Sequence, residues 1–157
     1  MKVNQITSAP GCAIGAPPYL LITFHPAERR SRFSRSCHMS LDWSQGSLHE
    51  GLHCFRSGAF FEAHEHWESV WLVAQEPEKT FLQSLIQVAA AFHHFQRGNC
   101  AGTVSLLGSA LRRLDAYPEA FAGVLVAPFR TAIRLWLDAV QTPQRSPLPT
   151  IPQLELF

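Results

Sequence analysis

The chain has 157 residues, a formal net charge of +1 and 46% hydrophobic residues. That length suits one domain with a tail, and four Trp and eleven Phe are on hand to fill a sizeable core. The near-zero charge, with no basic face in the part expected to fold, makes nucleic acid a poor partner, and no apolar run reaches the length of a membrane span.

Residues 1–38 differ from the rest. Pro10, Pro17, Pro18 and Pro26 interrupt any regular element, and Arg29, Arg30, Arg32 and Arg35 alternate with serines. This composition resembles a targeting peptide, but the charged part follows the apolar run 19–24, the reverse of a secretory signal. We read Met39 as the real start, with 1–38 as translated upstream sequence or a disordered extension, 39–141 as the helical domain and 142–157 as an extended tail. Cys12, Cys37, Cys54 and Cys100 form no CxxC pair, so reduced thiols and a cytoplasmic location are expected.

Helical signals begin after Met39. Ser47 and Glu50 have the spacing of a capping box, opening a first helix that runs to about Ser57, with Gly58 as its stop. The second helix, about 59–75, carries GAFFEAHEHWESVW at 58–71. At about 100° per residue, Phe60, Ala63, Trp67, Trp71 and Ala74 make one apolar arc, with Phe61 and Leu72 at its edge. His64 and Glu68 fall inside that arc one turn apart, and a Glu aimed at a core is costly unless paired. Pro77 fits the first turn of a third helix, about 78–97.

That third helix is apolar nearly all round, through Phe81, Leu82, Leu85, Ile86, Val88, Phe92 and Phe95, which makes it central to its bundle. Its one polar stripe is Gln83, Gln87 and His94, beside small Ala90 and Ala91. A short connection favours an antiparallel pair with the second helix, so His64 and Glu68 are expected to face Gln83, Gln87 and His94. Gly98-Asn99 breaks the chain before a fourth helix that ends near Leu114, with Arg112 and Arg113 suited to its dipole. A turn between Pro118 and Gly123 leads to a last helix opened by Pro128. The tail carries Pro143, Pro147, Pro149 and Pro152, and Leu154, Leu156 and Phe157 offer side chains to dock it in a groove. No strand signal is present. The fold class is therefore all-α, a compact array of about five helices.

Three blocks carry a family resemblance: Phe55-x-x-Gly58-x-Phe-Phe-Glu-Ala-His-Glu-x-Trp-Glu68, Phe81-x-Gln83-x-Leu-Ile-Gln87 and His94-x-x-Arg-Gly-Asn99. Over roughly 45–141 the chain resembles the small helical family known as domain of unknown function 309. The resemblance implies a compact helical array and no established activity. Arg56 stands where that family often has Asn, and Ser84 where it often has Gly, which suggests looser packing at Ser84.

The site admits readings of different classes, and none names a reaction. The preferred one is structural: His64, Glu68, Gln83, Gln87 and His94 form a buried polar network that fixes two helices and lines a ligand pocket. In a second, His64, Glu68 and His94 bind a divalent metal of the zinc, manganese or iron kind, with Glu65 as a ligand or as general base in a hydrolase-like site. Neither HExxH nor paired Glu-x-x-His motifs occur. A third reading is a helical-hairpin module binding a protein or peptide. Gly58-x-x-x-Glu-Ala63 and Gly98-x-x-x-Gly-Thr103 lie 40 positions apart and resemble the small-residue packing of repeat hairpins, but two units are fewer than a solenoid needs.

Overall fold

A computed structural model describes residues 41–142 and 148–157; the expectations for 1–38 lie outside them. The described chain runs α1 (Gly46–Ser57), α2 (Phe60–Trp71), α3 (Glu78–Gln96), α4 (Cys100–Leu114), a hairpin of β1 (Ala120–Phe121) and β2 (Val124–Leu125), then α5 (Val126–Gln141). Each helix packs on the next, and α3 lies between α2 and α4. The helical array expected from periodicity is the observed architecture.

Its core is aromatic. Phe55 of α1 meets Phe60 and Trp67 of α2, Phe92 of α3 and Phe129 of α5. Trp136 of α5 lies edge-on to Phe92 and Phe95. The other four helices thus close around α3, whose buried residues include Phe81, Leu82, Leu85, Val88, Ala89, Ala91 and Phe92. Such rings add edge-to-face attraction to the area they bury.

Boundaries depart from expectation where side chains recruit the backbone. The capping box does not form. Asp42 instead accepts from Ser44 N at 2.9 Å, Ser44 Oγ at 2.6 Å and Gln45 Nε2 at 2.6 Å, and the turn it builds launches α1 at Gly46, with Gln45 making no side-chain cap. Those bonds also hold the Asp42 carboxyl below its ordinary range. α2 stops at Trp71 rather than near 75, and Lys79 covers the Trp71 ring at 4.7 Å. α5 begins at Val126, two residues before Pro128. The Glu119 carbonyl accepts from Val126 N at 2.8 Å and Ala127 N at 3.0 Å, and Pro128 falls in the first turn, where a missing N–H costs little.

The hairpin contradicts the expected absence of strands. Ala122 and Gly123 take positive φ of 50° and 83° and make a two-residue turn between strands too short to leave an alternating pattern. Trp43 donates its indole N–H to the Ala122 carbonyl at 2.7 Å, tying the start of the described chain to this turn. An open cavity of about 560 Å³ lies there, lined by Leu41, Trp43, Gly123, Leu156 and Phe157 among others. In the tail, Leu154 is fully buried, whereas Leu156 and Phe157 are exposed.

Cys54 is a free thiol. Ser84 shows no looseness: it is fully buried and donates its hydroxyl to the Phe81 carbonyl at 2.6 Å. No helix among the described residues is long and apolar enough to cross a membrane.

Candidate functional site on the second and third helices

The spacing of Phe60, Ala63 and Trp67 decides how α2 sits. These three are fully or almost fully buried, and Trp67 donates its indole N–H to the Leu48 carbonyl of α1 at 3.3 Å. His64 and Glu68 follow one step further round the helix, so they stand at the rim of the buried stripe. His64 keeps 17% of its side-chain surface exposed and Glu68 44%. Glu68 is thus a half-exposed carboxylate and not a buried charge. The wheel placed it inside the arc because it counted Phe61 and Leu72 as the arc's edge, and both are exposed.

At that rim the side chains of α2 find one another. His64 Nδ1 lies 3.1 Å from Glu65 Oε1 and 3.9 Å from Glu68 Oε2. One donor atom from each of His64, Glu65 and Glu68 lies within 4.8 Å of the others. Phe61, 52% exposed, stacks on His64 with centroids 6.4 Å apart and meets His93 of α3 at 5.5 Å. Burial pushes the His93 imidazole below its ordinary pKa; Arg97, His94 and His64 push the same way, and Glu62 opposes them.

The polar residues of α3 find partners elsewhere. Gln87 is buried, and its Oε1 accepts from Arg113 Nη1 of α4 at 3.0 Å. His94 Nδ1 lies 2.9 Å from Asn99 Nδ2, and since an amide nitrogen only donates, His94 Nδ1 accepts and its Nε2 carries the proton. Asn99 Oδ1 in turn accepts from Gly102 N at 2.9 Å and caps α4. Gln83 is half-buried. The five residues expected to satisfy one another therefore do not form one network. Three helices share them out: His64 and Glu68 stay on α2, Gln87 turns to α4, and His94 holds the α3–α4 corner.

This sharing explains the motifs. Gly98 ends α3 with φ of 74°, where a side chain would be strained, and Asn99 starts α4. The Arg-Gly-Asn block is a helix stop followed by a helix start, with His94 fastened to the start. Residues 48–106 match the model of the family described as Domain of unknown function (DUF309). Over these residues the chain is similar to that family. The match spans His64, Glu65, Glu68, Gln83, Gln87, His94 and Asn99; Arg113 and the tail lie beyond it.

An uncharacterized protein of Aquifex aeolicus (strain VF5) is 32% identical over 84 residues. That alignment takes in 53% of this chain and 25% of the relative, so the chain spans a quarter of the relative's length. Reading by residue missed the part of Arg113, assigned to the helix dipole, and of His93 and Phe61. Asn99 carried a usable signal, since Asn directly after a helix-ending Gly is a common helix cap.

Proposed function

We propose that the DUF309 segment of this chain binds a divalent cation on the exposed face of α2, through His64, Glu65 and Glu68. The carrying observation is the convergence of one imidazole and two carboxylates within 4.8 Å of one another. Nitrogen with oxygen donors suits zinc, manganese or iron, and three protein ligands leave coordination positions open at an exposed rim. Glu65 sits beside His64 as a third donor, which favours a ligand role over that of general base. His94 stands outside the donor set, because its Nδ1 is engaged by Asn99. An ion held there supplies Lewis acidity to a bound oxygen ligand. Phe61 adds an apolar wall on one side.

The test is titration of the untagged full chain with zinc, followed by calorimetry, beside His64→Ala and the double variant Glu65→Gln, Glu68→Gln. The expected result is one equivalent bound by the native chain, at least tenfold weaker binding in both variants, and unchanged helical circular dichroism. Equal zinc binding by all three overturns the proposal. So does the absence of binding by the native chain, which leaves the His64–Glu65 contact as a surface ion pair.

A further inference from the structure

Residues 148–157 show what the face between α1, α5 and the hairpin receives. They lie there without helix, with Pro152 buried and Leu154 seated in the hydrophobic core. Their backbone extends the hairpin: Leu125 N donates to the Glu155 carbonyl at 2.9 Å, Phe157 N donates to the Gly123 carbonyl at 3.2 Å, and Val124 bridges Leu156 in antiparallel sense. Both flanking helices also read the tail's carbonyls. Arg56 of α1 donates to Leu154 O at 2.8 Å, and Trp136 of α5 donates its indole N–H to Thr150 O at 2.7 Å.

This is recognition by strand addition, in which main-chain bonds supply affinity and side-chain pockets supply selectivity. One deep anchor, Leu154, and a short ladder hold the segment. None of these contacts requires the segment to come from the same molecule.

We infer that this groove is an exchangeable docking site for an extended segment, and that its intermolecular occupant is the tail of a second copy of this chain. The argument for that occupant is identity. A second copy carries the same Pro152-Gln-Leu154-Glu-Leu156 pattern, so each contact seen within the chain is reproduced between chains. Reciprocal exchange closes a two-fold dimer. A tail joined to α5 by only residues 143–147 competes at high effective concentration, so exchange emerges in concentrated protein or when the chain's own tail cannot seat.

The test uses a fluorescent peptide of residues 148–157 and the full chain in native and Leu154→Asp forms. The Leu154→Asp chain keeps the groove but carries a tail that cannot bury its anchor. It is expected to capture the peptide at least tenfold more tightly than the native chain, and to ignore a peptide carrying Leu154→Asp. Native chain at rising concentration is expected to yield dimer by light scattering. No capture by a Leu154→Asp chain with native circular dichroism overturns the inference. Should that variant fail to fold, the native chain decides: a strict monomer that takes up no peptide overturns it equally.

Discussion

At the scale of single residues, the polar groups are placed by what each can reach and not by the stripe they share. Gln87 illustrates this. It is one of few buried polar residues, and its Oε1 takes a hydrogen bond from the Arg113 guanidinium at 3.0 Å. Gln87→Ala leaves that guanidinium with the Ser109 carbonyl and a partly desolvated charge. We expect a loss of about 1–3 kcal/mol in urea unfolding, most of it absent when Arg113 is already Ala, as a double-mutant cycle would show. His93 gives a pH signature. Burial lowers its folded pKa below that of an ordinary histidine, so the folded chain binds this proton more weakly than the unfolded chain. Its contribution is therefore fully present above the unfolded pKa and is lost as pH falls through that value toward the lowered one. The melting temperature should drop between about pH 7 and pH 5, and His93→Gln should remove part of that drop.

At the scale of elements, close approach between helices decides which small residues matter. A Cβ on Gly51 of α1 would lie 2.5 Å from the Trp67 indole nitrogen, and that ring is fully buried and cannot retreat. Gly51→Ala should destabilise by about 1–3 kcal/mol despite the better helix propensity of Ala. Gly108 of α4 is the control. A Cβ there meets only the flexible Arg112 guanidinium at 3.6 Å, so Gly108→Ala should raise stability by up to about 1 kcal/mol in the same unfolding assay. The two helix pairs are also built alike. Gly58 and Gly98 each take positive φ at a helix end, and Ala63 and Thr103, five residues on, are both fully buried. Thr103 donates its hydroxyl within α4 to Asn99 O at 2.9 Å and lies 3.2 Å from Ala91 O of α3. The 40-residue echo in the sequence thus corresponds to two helix pairs joined by the same device. The third tie is Gln96 Nε2, which donates to the Gly58 carbonyl at 2.9 Å and links one corner to the other.

At the scale of the whole molecule, α3 and the tail close the core. Leu154 reaches it from a segment with no helix, and Trp136, Arg56 and the hairpin hold that segment in place. Leu154→Ala should cost about 2–5 kcal/mol, read as a lowered denaturation midpoint, because it opens a cavity in a core with little room to collapse. The hairpin and tail are one unit, so a change at either should loosen both in hydrogen exchange.

The five helices were legible in the sequence because a helix is a local object. Its period, its apolar face and its Gly stops lie within a few turns of one another, and the all-round apolar pattern of residues 81–95 alone marks α3 as central. The resemblance of the EAHEHWE, LIQ and RGN blocks was equally local, and in the fold Trp67 packs into the core, Gln87 accepts from Arg113 and Gly98-Asn99 turns the chain from α3 to α4. The partners of Gln87 and His94, the rim position of Glu68, the two-residue strands and the seat of Leu154 depended on which helices meet and how each is rotated. Those are long-range outcomes of filling one aromatic core. A wheel places a side chain on a face, and only the assembled fold decides whether that face meets a neighbour, a rim or water.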